Sequence, residues 1–481
     1  MDKEMAEAIN YEKLRVRGYE LEHIRDLKIS ADINEHAKLN LTGVLKADVE
    51  DKDVVSTNNN KTIEVYYDEK NSTTLFYGVV TNIEVSVDSE VYIVKIEAVS
   101  MTYLMDIKLK SRSFQNTSIT IGEFIDLIMS EYGTSNYILN IPDEVLGELI
   151  IQYEETDWEL LKRILSKYNA GIFPIMSSKD IGCVMGTQEI HKDLKTTLIE
   201  YEVFKDIDDY EYMLENYLPD AQESDYITYK VKSYEIFNLG DNTTIGGRKF
   251  YVYRAEYEIH NNVLENIYML RMKNGLRQKR VFNTKVVGTS IGGKIIDVKN
   301  DVVRIHLDID ESQDKSTAYW FKFSTMSASN DGSGWYCMPE VGDSVRAYFP
   351  TKDEDETFAI SAVSGYKQGA GEAEDRMGNP DNKYLRTAND KQVTLKSDGI
   401  AISCDSGQAD MNLSNDGTLT ISSQNNINIT AKENVKIEAG KSFLLTASQG
   451  INISCDKNGG IMFDESGQIK EMGVQVNNNY E

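Results

Sequence analysis

The chain has 481 residues, 41% hydrophobic and 27% charged, a composition of folded protein rather than disorder, and its length suggests about three domains. A formal net charge of −27 argues against nucleic acid or an anionic membrane surface as an electrostatic partner. Four scattered cysteines, Cys183, Cys337, Cys404 and Cys455, form no CxxC pair and read as reduced cytosolic thiols.

The charged start, Met-Asp-Lys-Glu-Met-Ala-Glu, lacks the apolar core of a signal peptide. No run of about 18 apolar residues offers a membrane span. Production in the cytoplasm without a membrane anchor is expected, and any secreted role needs a route that reads no cleavable signal. Residues 11–102 then read as β, with alternating or apolar runs at 14–16, 39–45, 62–67, 74–85 and 91–98 separated by Asn, Asp, Gly and Ser. Residues 117–132 predict a helix on the spacing of Ile121, Phe124, Ile125, Ile128 and Met129, with Ser118 or Thr120 as its cap. A second helix over 157–168 starts with Thr156 and Glu159 in capping-box spacing and presents Trp158, Leu161, Ile164 and Leu165. From Gly171 the chain reads as β again, through Cys183, 198–203 and an Asp-rich piece ending near Glu215. Residues 217–225 read as a surface excursion, 226–258 as β, and 263–272 as either a strand pair or a short helix. Five compact strand candidates follow at 294–298, 302–307, 319–323, 344–349 and 358–363, which suits a small closed barrel of the OB type. Residues 366–390, rich in Gly, Asp, Asn and Glu, are a linker.

Beyond the linker lies a repeat. Met411-Asn412-Leu413, Leu419-Thr420-Ile421, Ile427-Asn428-Ile429, Val435-Lys436-Ile437, Phe443-Leu444-Leu445 and Ile451-Asn452-Ile453 begin eight residues apart. Val393-Thr394-Leu395, Ile400-Ala401-Ile402 and Ile461-Met462-Phe463 extend the pattern with slipped spacing. Period-two alternation puts each apolar pair on one face of a short strand. An extended octad spans roughly 26 Å, so a triangular turn made by one chain has sides under about 9 Å, less than the ~10 Å between packed sheets. Several chains must therefore share each turn, three of them burying the stripe as the core of an intertwined rod. The alternative is an antiparallel meander within one chain, but hairpins rarely hold one period over so many repeats.

Ser111-Arg112-Ser113-Phe114-Gln115 before one helix, and Gln152-Tyr153-Glu154-Glu155-Thr156-Asp157-Trp158 leading into the other, resemble the hub of VgrG-type spike proteins. So do Leu239-Gly240-Asp241 and Arg248-Lys249-Phe250-Tyr251-Val252, and Met338-Pro339-Glu340-Val341-Gly342-Asp343-Ser344-Val345 with Phe349 resembles the closing half of the family's OB domain. The matches keep the family's order across nearly the whole chain. The resemblance implies a homotrimeric spike of a type VI secretion system, an extracellular injection particle or a contractile phage tail. Its hub holds two related barrels per chain and seats on the sixfold inner tube and baseplate proteins. The expected architecture is mainly β: a hub of two β-barrels with inserted helices (1–285), an OB-fold barrel (286–365), a linker (366–390), an intertwined trimeric β-helix or β-prism needle (391–463) and a polar tail (464–481). The needle punctures a target membrane on sheath contraction, and a PAAR-like tip protein or effector docks near Ile461 and Phe463. A contractile prophage or bacteriocin hub is the alternative within the family.

Catalytic patterns are weak. Gly288-Thr289-Ser290-Ile291-Gly292 matches G-x-S-x-G, but Ser290 lies between strands rather than on a strand-to-helix elbow. Asp308, Asp310, Glu311 and Asp314 lack the central Gly and terminal Glu of a calcium loop and read as an exposed acidic turn. His23, His36, His191, His260 and His306 never fall at ligand spacing, so no metal is expected, and His36 is read as packing in the first barrel. The linker, about 25 residues, is too short for the lysozyme domain that some family members carry there. No catalytic residue or cofactor is expected. A wall-degrading enzyme would need Ser290 or a carboxylate pair, and a receptor-binding fibre would need a globular head past the rod.

Overall fold

The computed structural model describes residues 9–46, 58, 61–67, 72–194, 198–331, 333–360, 378–455 and 459–475. The last part of the strand expected at 358–363 and the first half of the expected linker lie outside them. The chain divides into two compact units, Met1–Gly365 and Tyr366–Glu481.

In the first unit, the early β region forms β1 (Leu14–Arg17), β2 (Leu21–Asp32), β3 (Lys38–Leu45), β4 (Thr62–Tyr67), β5 (Thr73–Asp88) and β6 (Val91–Ser100). Alternation decides what they bury: Leu27, Ile29 and Ala31 of β2 and Leu39 and Leu41 of β3 point inward, with polar neighbours between them. Later strands are β12 (Leu198–Lys205), β13 (Ile227–Ser233), β14 (Asn242–Ile245), β15 (Arg248–His260) and β16 (Val263–Arg271). Segment 263–272 is thus a single strand. The two β halves expected as barrels share one hydrogen-bonded sheet of 11 strands, in the order β1-β4-β5-β6-β3-β2-β15-β16-β13-β12 with β14 beside β15. Their seam is β2 against β15, Lys28 opposite Glu258 through Asp32 opposite Arg254, with Lys28 Nζ 3.3 Å from Glu256.

Between the halves sit the helices and short strands β7 (Lys110–Phe114), β8 (Ser135–Leu139), β9 (Ile150–Glu155), β10 (Ile172–Pro174) and β11 (Ile181–Met185). Helix α1 (Ile121–Met129) starts on a Thr120–Glu123 capping box, and α2 (Asp157–Ser166) on a Thr156–Glu159 one. Phe124, Ile128, Trp158, Leu161, Ile164 and Leu165 bury their faces in a core of their own.

The Asp-rich piece is not β. Residues Ile207–Asn216 form helix α3, capped by the Asp206 side chain on the Asp209 amide. The excursion after it is anchored, because Leu218, Ala221 and Tyr226 bury against Met213 of the helix.

The barrel is closed in the order β17-β18-β19-β21-β20, from β17 (Ser290–Lys299), β18 (Val302–Leu307), β19 (Trp320–Phe323), β20 (Ser344–Tyr348) and β21 (Phe358–Ile360). The second unit has a five-stranded sheet, β22 (Lys383–Arg386), β23 (Lys391–Lys396), β24 (Gly399–Cys404), β25 (Ala409–Ser414) and β26 (Leu419–Ser423). A three-stranded sheet follows, β27 (Gly450–Cys455), β28 (Gly459–Asp464) and β29 (Ile469–Met472). Two expectations are corrected here. Part of the linker is strand β22, and the polar tail contains β29, whose Ile469 pairs with Phe463.

Candidate assembly surfaces

The two sheets of the second unit carry the repeat. Across β23 to β26, Val393 lies opposite Ile402, Leu395 opposite Ile400, Ile400 opposite Leu413, Ile402 opposite Met411, Met411 opposite Ile421, and Leu413 opposite Leu419. The intervening residues, Thr394, Ala401, Asn412 and Thr420, align with one another on the other face. The sheet therefore has one apolar side and one of small and polar residues.

Within the single chain this stretch is the antiparallel meander that the sequence set against a shared coil. The reason lies in the spacing: successive pairs begin at 393, 400 and 411, and the slipped intervals leave room for hairpin turns such as 396–399. The 411–419 interval is already eight and still closes a hairpin, but beyond Ser423 self-pairing stops. Residues 426–449 join no strand pair among the described residues. Ile427, Ile429, Val435, Ile437, Phe443 and Leu445 are each at least 55% exposed. Pairing resumes at the far end, where Ile451 faces Phe463, Phe463 faces Ile469, and Ile453 faces Ile461. The tip candidates Ile461 and Phe463 thus share a face with two residues of the stripe. Among the described residues no hydrophobic side chain after Ala359 is buried.

A second assembly feature is the joint between hub and barrel. Leu149 and Ile151, just before and within β9, are buried in the barrel core. Arg163 of α2 holds both Glu155 oxygens and Glu354 at 2.9 Å, and Glu354 also accepts from the Ile151 amide at 3.1 Å. Gln115 donates to the Ile305 carbonyl and accepts from the Tyr319 amide, both at 3.1 Å.

Within the acidic turn Asp308, Glu311 and Asp314 are exposed as expected, but Asp310 is half-buried and belongs to this joint. Asp310 accepts from the Ser113 amide at 2.6 Å and from its hydroxyl at 2.5 Å. Burial raises the Asp310 pKa against the lowering pull of those bonds. The Ser290 hydroxyl accepts from the Arg346 guanidinium across the β17–β20 pair. His306, which follows Ser290 in the chain, bonds to the Asp310 carbonyl at 3.0 Å. His36 packs in the hub, its ring nitrogens 2.8 Å from Thr102 and 3.1 Å from Asp106, and its ring 4.5 Å from that of Trp158. These contacts tie the first sheet to α2. Sequence reasoning missed Asp310 and Arg163 as joint residues because their partners lie 197 and 191 positions away.

Residues 292–363, most of the barrel, match the family model of the type VI secretion system/phage-baseplate injector OB domain. The E. coli c3393 protein is described as a component of the type VI secretion system with structural similarity to the T4 bacteriophage tail proteins gp27 and gp5. It is 12% identical, with a TM-score of 0.52 over 72% of this chain and 99% of that chain. A chain of the Francisella PdpA–VgrG complex in its half-lidded form is 9% identical, with a TM-score of 0.52 over 85% of this chain and 87% of that one. The lidless complex gives 11% identity and a TM-score of 0.53 over 85% and 97%. No curated protein matches in sequence. The mainly β hub-and-barrel fold is shared with these structures.

Proposed function

We propose that a chain with an injector-type OB domain inside a VgrG-like fold works as the structural spike of a contractile injection apparatus. It is a homotrimer that joins a sixfold inner tube to a threefold needle and is driven through a target membrane on contraction. One observation carries this reading: the paired sheets of the second unit have one apolar side, and among its described residues no apolar side chain is buried. A unit without a core needs other chains to cover its stripe, and burial is worth about 25 cal/mol per Å² of apolar surface.

Three copies supply that cover symmetrically. Each five-stranded meander forms one complete face of a prism. Beyond residue 425, where the chain stops pairing with itself, successive octads pass from face to face and the three chains share every sheet. The work done is mechanical, from stiffness and burial. The hub engages inner-tube and baseplate proteins, and a PAAR-like tip protein or effector docks at the far end. There Met472 and Val474 are exposed beyond the stripe and replace Ile461 and Phe463 as docking candidates. Assembly takes place in the cytoplasm and delivery is outward. The same architecture serves a contractile prophage or bacteriocin equally, and the matched family description names the type VI secretion system and the phage baseplate.

The test is the solution mass of the full chain and of a chain stopped before Asp390. A full-length species near three times 54.5 kDa, resistant to SDS until boiled and losing that resistance on truncation, is expected. A full-length monomer overturns the reading. Retained penetration of target cells by Ser290→Ala particles separates the spike from a hydrolase.

A further inference from the structure

The octad segment has a weakness as an assembly code. Its units at 427, 435 and 443 are alike in pattern, so a chain displaced by one unit buries the same kind of apolar pair as before. Register in such repeats is poorly specified unless some other element breaks the degeneracy. The two ends of the segment differ from its middle in this respect. They pair with themselves, β22 to β26 on one side and β27 to β29 on the other, and each sheet contains an interval other than eight, such as 400 to 411 and 451 to 461.

We propose that these self-paired sheets are register clamps: β27 to β29 of each copy packs its apolar face against the same face of two further copies and fixes which octads stand level. The inference rests on the homotrimer reading above and adds to it how three repetitive strands find one alignment.

The occupant of that face follows from phase. Ile451 and Ile453 are the last members of the series that begins at Met411 and keeps intervals of eight. Whatever covers Val435 and Ile437 therefore continues onto them. Their cross-strand partners Phe463, Ile461 and Ile469 widen the same face, while Asn452 and Lys470 lie on the opposite one. Because its hydrogen bonds close within one chain, this sheet can form before the chains meet. The segment 426–449 has no such partner and must wait for them. Two unique ends with a degenerate middle allow only one common length between the clamps.

That length is the measurable quantity. A chain lacking residues 435–442 loses one octad and keeps the phase of the rest. Full-length and shortened chains, differently tagged, are produced together and the SDS-resistant trimers are sorted by tag. Each chain alone is expected to trimerise. Mixed trimers are expected to fall at least tenfold below random assortment, because a short and a long chain cannot bring both ends level. Removing 450–475 from both chains, or placing Phe463→Asp in both, is expected to restore random mixing. Random mixing with the terminal sheet intact overturns the clamp, as does persistent sorting after its removal. Failure of either chain to trimerise alone overturns the spike reading itself, so the two results are distinguishable.

Discussion

Arg163 of α2 and Glu354 beside β21 lie 191 residues apart in the chain and meet at 2.9 Å, both buried. The same guanidinium holds Glu155 in the hub, so one side chain bridges the hub and the barrel. Breaking one side of a buried pair strands the other charge, at a cost of about 3–5 kcal/mol. Glu354→Ala is expected to lower the denaturation midpoint of the first unit. Glu354→Gln, which keeps an acceptor for the Ile151 amide, is expected to cost less. Equal midpoints for Ala and wild type would show that the joint is held elsewhere.

Asp157 gives the hub an acid-sensitive contact. Burial pulls its pKa up, but Lys110, Tyr132 and Gln152 hydrogen-bond it and Arg112 adds charge, and the net effect is below the ordinary carboxylate value. Arg112 stands at 2.9 Å and Gln152 at 2.8 Å. A depressed folded-state pKa means stability that is complete above the unfolded value of about 4 and lost as pH falls through the folded one. Asp157→Asn is expected to be less stable at pH 7 and to show a flatter decline from about pH 4 downward, read by thermal melts across pH. An unchanged acid slope would remove Asp157 from the account.

Leu444 and Leu445 are adjacent, and period-two alternation gives them opposite faces. Leu445 belongs to the stripe and Leu444 does not, although Leu444 is 86% exposed and the more conspicuous of the two. Leu445→Lys is expected to abolish SDS-resistant trimers with the hub still folded. Leu444→Lys is expected to leave them unchanged. The reverse pattern would put the stripe on the wrong face.

Gly275 sits where a Cβ would come within 1.9 Å of the Asp225 backbone carbonyl. Backbone cannot swing aside as a side chain does. Gly275→Ala is therefore expected to destabilise the hub by about 1–3 kcal/mol, the usual range for overpacking, seen as a lower urea midpoint with an unchanged slope. A neutral result would mean that segment 273–276 shifts freely.

Local patterns were legible, and contacts across long separations were not. The Thr156–Glu159 box, the five barrel strands and the apolar pairs each need only a short window of sequence. Helix α3 escaped because its acidic residues hide the 207, 210, 213 and 214 spacing that packs Met213 inward. β29 escaped because one Ile and one Met among polar residues do not announce a strand until Phe463 stands opposite. Asp310 looked like a solvated turn, since nothing near it in sequence indicates Ser113. Where the meander ends was not legible, because the 411–419 interval that closes a hairpin is the same as the intervals of the unpaired segment after it.

The uncovered stripe from Ile427 to Leu445 also bears on inheritance. If sister chains cover that surface, as proposed above, the needle is as good as its worst member. A cell carrying one intact and one defective copy of this sequence would spoil more needles than the defective share of chains, because every mixed assembly fails. On that reading, damage in this segment behaves as dominant.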